Sequence, residues 1–353
     1  MALLIDTDVH EPLRTVRDLL PYLDPHWQVH VTEERGDNVL SKIQLPYSPP
    51  GSGERREWRA TDDDREKDLE RLRSNLLEGE GVTAAILNGF FHVSALPVDY
   101  EFATALAAAY NDWQIHVWLE REPRLRGSVH VIAHNPEVAA REIDRVAEHP
   151  QIVQVFLPLV NDRQYGDPHY HPIFEAAVRN DLVVTFHHGS HTRTVLGYPR
   201  HFIEWHTVAA PQAAQNQLLS LICNGVFDRY PDLKVVFLET GVAWVPWFMW
   251  RLDQQYREMR REVPWVSRLP SEIMRDSVRV ATQPMGDVKP QHFEKLVEMT
   301  DTERVYVFAT DYPHYDADTS SAGPLVSLAE QLSQRIRYQN AVESFPRLRD
   351  LSE

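Results

Sequence analysis

Acidic residues and histidines recur where short apolar runs of this sequence stop. Asp8 and His10 close the first run, His187 the fifth, Glu239 the sixth and Asp311 the eighth. Carboxylate and imidazole donors suit zinc, manganese or iron better than calcium. A divalent ion of this kind lowers the pKa of a bound water from about 16 toward roughly 7, which makes a nucleophile at neutral pH. Asp8, His10, His187 and Asp311 are the expected ligands. Asp311, just ahead of Pro313, is also suited to accept the water's proton. Glu239 is a candidate second acid/base, or the orienter of a histidine. His314 and His206 are candidate substrate contacts. Arg193 and Arg200, on the loop after the fifth run, are the nearest cations for an anionic substrate.

These residues need a scaffold that delivers them to one place. Eight short apolar runs alternate with helical segments: 2–5, 81–87, 127–132, 152–157, 182–187, 234–239, 278–282 and 305–309. Such alternation implies parallel strands joined by helical crossovers. Eight of them predict a closed (β/α)8 barrel, an α/β fold whose reactive groups sit at the carboxyl ends of the strands. Strand alternation would place Asp6, Asp8 and His10 on one face. Asp6, two residues deeper, reads as a buried orienter rather than a ligand. His188 should turn toward the helices or the loop, and His130, inside the third strand, reads as a hydrogen-bonded core histidine. His134 is a weak rim candidate. Pro211 predicts a helix over 211–227 that leaves His206 on a loop. Trp244, Trp247, Phe248 and Trp250 have mostly helical spacing and read as packing. The polar stretch 33–66, with five Pro and Gly residues near its middle, is expected to be an excursion or lid after the first strand. Residues 324–349 read as closing helices.

Composition narrows the function. The 353 residues fit one large barrel domain spanning 1–353, and 43% are hydrophobic, enough for a sizeable core. A net charge of −16 argues against nucleic acid or an anionic membrane as the main partner. The single cysteine, Cys223, excludes an intrachain disulfide and reads as an inert thiol at a helix end. No apolar run approaches the roughly 18 to 20 residues of a membrane span, and the N-terminus does not resemble a signal peptide. A cytoplasmic protein acting on a small molecule is expected.

Several longer motifs are similar to a known family. The chain resembles the amidohydrolase superfamily, in the amidohydrolase-related branch that includes aminocarboxymuconate semialdehyde decarboxylase. The markers are Ile5-Asp6-Thr7-Asp8-Val9-His10, Thr185-Phe186-His187, the run 224–236 (NGVFDRYPDLKVV) and Ala309-Thr310-Asp311-Tyr312-Pro313-His314. The resemblance implies a (β/α)8 barrel and one divalent metal, zinc first and manganese second. It puts His10, His187 and Asp311 on the family's ligand positions. Asp8 falls where members carry His or Glu. Dimers are common among similar proteins, so a homodimer is expected. One departure stands out: decarboxylases of this branch carry a Gly-His-x-Gly-Glu pattern at strand six, where this chain has Leu238-Glu239-Thr240-Gly241-Val242. A carboxylate replaces the imidazole. The leading expectation is therefore hydrolysis of a C–N, C–O or activated C–C bond by a metal-bound water. The alternative is non-oxidative decarboxylation of an aromatic or unsaturated acid. A metal-free binding protein is the third reading.

Overall fold

The computed structural model describes residues 3–35, 53–59, 65–89, 99–189, 200–286, 288–319 and 324–352. Eight parallel strands stand in sequence order: β1 (Ile5–Val9), β2 (Ala84–Leu87), β3 (Leu125–His130), β4 (Ile152–Pro158), β5 (Val183–His187), β6 (Val235–Leu238), β7 (Val278–Ala281) and β8 (Tyr306–Val307). The circle closes between β8 and β1. There Thr7 N donates to Phe308 O (3.0 Å), Asp311 N to Asp8 O (3.0 Å) and His10 N to Tyr312 O (2.8 Å). This is the (β/α)8 barrel that the alternation predicted.

Two apolar layers hold it together. Ile5, Ile86, Val153, Val183, Val236 and Val307 fill the barrel interior, joined by Phe345 and Leu348 from the closing helices. A larger layer, including Leu106, Ile143, Phe174, Leu221, Met249 and Phe293, lies between strands and helices. Short helices at Val16–Tyr22, Pro25–Val29 and Asp68–Leu72 occupy the long insertion after β1. Much of the 33–66 excursion, 36–52 and 60–64, lies outside the described residues. Its described part reaches the barrel rim: Glu54 bridges to His314, and Arg55 N donates to Pro313 O at 2.9 Å.

The elements differ from expectation in four places. First, the helix expected from Pro211 runs Phe202–Cys223, with Pro211 inside it. Glu204 caps its start by accepting from the backbone N–H groups of Arg200 (2.7 Å) and His201 (2.8 Å). His206 is thus helical. Second, β3 ends at His130, so that residue sits at the strand's edge. Third, Trp247 and Trp250 are exposed, because the inward face of Trp244–Met259 is Val245, Phe248 and Met249. Fourth, β1 shifts register against β2 between Asp6 and Val9. Ile5 packs in the interior layer and Val9 in the outer one, although a regular strand would give them the same face. Asp6 is therefore out of phase with Asp8 and His10.

Candidate metal centre

The ends of β1, β5 and β8 bring Asp8, His10, His187 and Asp311 together, all buried, each offering one ligand atom within 4.8 Å of the others. His10 Nε2 lies 3.0 Å from Asp311 Oδ1 and 3.3 Å from Asp8 Oδ1, and His187 Nε2 lies 3.6 Å from Asp8 Oδ2. Asp8 Oδ2, His10 Nε2 and Asp311 Oδ2 are buried and make no hydrogen bond. Buried polar atoms normally find a partner. Two carboxylates and two imidazoles converging on one point, with lone pairs unused, fit a divalent cation.

The surrounding structure fixes each donor. His10 Nδ1 donates to the Gly89 carbonyl at 3.0 Å, which leaves Nε2 as the ligating nitrogen. His187 Nδ1 engages the carbonyl of His188 in the same way. Asn88 Nδ2 donates to Asp8 Oδ1 at 2.7 Å and turns Oδ2 toward the cluster. Asn88 is held in turn by Gln154, which also donates to Ser128 Oγ (2.8 Å) and accepts from Thr185 Oγ1 (2.6 Å). This polar layer crosses the barrel beneath the site. His314 Nδ1 donates to Asp311 Oδ1 at 2.7 Å. Burial opposes charge on His10, but the carboxylates of Asp311 and Asp8 hold its pKa well above the usual value. Burial lowers that of His187.

Asp6 has the orienting geometry. It accepts from Thr310 Oγ1 (2.6 Å), Thr310 N (3.0 Å) and Asp8 N (3.2 Å), tying β1 to the segment that carries Asp311. Burial raises its pKa to about 7 against those hydrogen bonds.

A second cluster adjoins the first. Glu239, just past β6, places Oε2 2.7 Å from His188 Nε2 and 3.4 Å from His187 Nε2, and Oε1 3.3 Å from His206 Nε2. Asp316 Oδ2 is 3.7 Å from the same His206 nitrogen. Burial would raise the pKa of Glu239, yet the facing imidazoles, His188 foremost, hold it well below the carboxylate range. The expectation that His188 turns away is corrected. β5 stops at His187, strand alternation no longer governs, and the His188 ring stacks near-parallel to His187 at 5.5 Å.

His130 also differs from expectation: neither ring nitrogen makes a hydrogen bond, although the residue is fully buried. It packs against Tyr110 and Phe156. Burial, with His10 and His187 nearby, lowers its pKa to about 3. His134 stacks on Tyr100 and pairs with Asp162 away from the cluster. Arg193 lies outside the described residues, and Arg200 is exposed. Sequence reasoning missed Glu11, Asn88 and Gln154. Only Asn88, directly after a strand, carried a readable signal.

The family model described as "Amidohydrolase" matches residues 11–347. This chain belongs to the amidohydrolase family. Among curated relatives, a gamma-resorcylate decarboxylase from Polaromonas sp. is 24% identical over 296 residues, covering 79% of this chain and 87% of that protein. Among solved structures, an amidohydrolase from Mycobacterium avium subsp. paratuberculosis superposes with a TM-score of 0.74 at 19% identity, covering 97% of this chain and 98% of the other. A dihydroxybenzoic acid decarboxylase from Polaromonas sp., solved with manganese and 2-nitroresorcinol, has a TM-score of 0.68 at 19% identity, covering 99% and 98%. The chain is thus an amidohydrolase-family enzyme. Among the described residues no helix is long and apolar enough to cross a membrane.

Proposed function

We propose that this enzyme is a metal-dependent, non-oxidative decarboxylase of a hydroxylated aromatic acid. The observation that carries the reading is the alignment with gamma-resorcylate decarboxylase over most of both chains. It favours the alternative over the hydrolytic expectation. Asp8, His10, His187 and Asp311 would hold the cation. Their oxygen and nitrogen donors suit zinc or manganese, and the manganese in the structural neighbour favours manganese. When bound, the cation would anchor the substrate's oxygens and draw electrons from the ring.

The chain's own residues must supply a proton. In decarboxylation the bond to the carboxyl carbon breaks, carbon dioxide leaves, and the electron pair on the ring carbon takes up H⁺. Glu239 is a poor donor, because three imidazoles hold it as a carboxylate. Asp311 would act as a relay: it accepts Nδ1–H of His314 at 2.7 Å, takes that proton and passes it to the ring carbon. His314 and His206 stand close enough to the cluster to contact substrate.

The test is carbon dioxide release from ortho-hydroxybenzoates by manganese-loaded enzyme, run beside ester, lactone and anilide hydrolysis. Carbon dioxide release that disappears in Asp311→Asn is expected. Hydrolysis without decarboxylation would overturn the reading.

A further inference from the structure

The site holds more acid than one divalent cation offsets. Asp8, Asp311, Glu239 and Asp316 surround it, and among the described residues none forms an ion pair with lysine or arginine. Histidines that ligate a metal do so as neutral rings. One divalent cation then offsets two of the four carboxylates, and among the described residues the other two face only imidazoles, among them His188, His206 and His314. Arg55, which approaches this rim, is engaged with Glu57 (2.9 Å) and the Ala317 carbonyl (3.2 Å).

A second set of donors stands beside the first and shares no residue with it. His188, His206 and Glu239 each offer one ligand atom, all within 4.8 Å of one another. Nε2 of His188 and of His206 approach opposite oxygens of Glu239, at 2.7 and 3.3 Å. His188 is only 5% exposed, and neither of its ring nitrogens makes a well-directed hydrogen bond. Asp316 adds an oxygen 3.7 Å from His206 Nε2. Two imidazoles with carboxylate oxygens form a donor set for a first-row divalent metal.

We propose a second divalent-cation site held by His188, His206 and Glu239, with Asp316 within reach. Glu239 then stands between two cations, since its Oε2 is also 3.4 Å from His187 Nε2. The second cation offsets Glu239 and Asp316 in place of protons on His188 and His206. It also supplies the positive anchor for an anionic substrate that the described side chains do not. This accounts for a carboxylate at the end of β6: an imidazole there would add a donor but no charge to offset a second cation.

The test counts metal, so it does not depend on whether the enzyme decarboxylates anything. Full-length protein is stripped with a chelator, reloaded with excess Mn²⁺, freed of unbound ion by gel filtration, and assayed for manganese per chain. Electron paramagnetic resonance on the same samples reads spin coupling between neighbouring ions. Two equivalents and a coupled signal are expected for the wild type. His206→Ala and His188→Asn should each retain one equivalent and lose the coupling. Unchanged circular dichroism shows that each variant is folded. If one variant misfolds, the other carries the comparison, and anomalous scattering from manganese in wild-type crystals provides a count that needs neither. A wild type that binds one equivalent overturns the proposal. So does a second equivalent that persists in both folded variants.

Discussion

Glu11 never touches the metal cluster, yet it should control metal affinity. Its carboxylate is buried. Oε2 accepts from Gly89 N at 2.9 Å, and Oε1 accepts from Tyr110 OH at 2.7 Å and Gln114 Nε2 at 2.5 Å. The carbonyl of the same Gly89 receives Nδ1–H of His10, so Glu11 fixes the residue that sets the His10 tautomer. In Glu11→Gln an amide NH₂ must face a donor in either rotamer. Gln114 does not readily turn to accept, because its own Oε1 is engaged by Ser128 N at 3.1 Å. One buried donor is stranded and the remaining bonds lose their charge assistance, a cost of about 3 kcal/mol. A displaced orienting partner weakens metal binding by roughly 10- to 100-fold, or about 1.4 to 2.7 kcal/mol. Urea unfolding of the metal-free protein measures the first quantity, and calorimetric titration with Mn²⁺ the second. Tyr110→Phe is the control: it removes one bond to Oε1 and leaves the Gly89 link, so it should lower stability but not affinity. Lower stability with unchanged affinity in Glu11→Gln would refute the link through Gly89.

Two further perturbations act away from the rim. Glu122 accepts from Arg73 (2.6 Å) and Arg124 (2.9 and 3.0 Å), and Arg124 foremost holds its pKa at about 2 against burial, compared with an ordinary 4.5. A lowered carboxylate pKa stabilises the fold above the unfolded value, and that contribution is lost as pH falls through 4.5 toward 2. Both arginines are about a third exposed, so solvent screening reduces the contribution to about 1 kcal/mol. Glu122→Gln should lower stability by that amount at neutral pH, with the gap closing in acid; a gap that stays constant in urea melts would contradict the assignment. Arg347 donates to the carbonyls of Asn180, Ala147, His149 and Ile152, joining the closing helices to the barrel floor. Arg347→Met keeps the stem but abandons those carbonyls, at about 2 kcal/mol. Its manganese content should equal the wild type's, and a loss of metal would show that floor and rim are coupled.

The barrel was legible because its period is coarse. Eight apolar runs alternating with helices survive errors of several residues at each boundary, and β3 was misplaced by two without harm to the fold. The primary donors were legible for a related reason. A polar residue that ends a buried strand has few places to point, so Asp8, His187 and Asp311 converge as the strand ends require. What failed depends on geometry finer than any period. The register shift in β1 separates Asp6 from Asp8. His188 follows a strand that has already stopped. His206 rides on a helix that tolerates Pro211, and it reaches Glu239 because that helix starts nine residues before the proline. Glu11 and Gln154 act through hydrogen bonds to residues far away in sequence, and no local pattern announces them; Asn88 had only its place directly after a strand.

The backbone at the rim shows which of these residues were placed at a cost. Among the described residues four non-glycine residues have left-handed φ, and two of them are Glu239 (52°) and Asp311 (62°). That conformation costs an L-residue roughly 1 to 2 kcal/mol. Asp181 and Asp301 adopt it in turns that follow helices, where short polar residues are commonly tolerated. Glu239 adopts it directly beyond β6, and Asp311 four residues beyond the end of β8. There the chain must leave the strand and still aim a carboxylate inward, and Asp311 is further pinned by its N–H to the Asp8 carbonyl. Glycine at either position would relieve the backbone and delete the carboxylate. Such strain is characteristic of positions that the surrounding structure over-determines. Asp311 belongs to the first donor set and Glu239 to the second, so both clusters bear this mark, and a spectator carboxylate at Glu239 would not account for it.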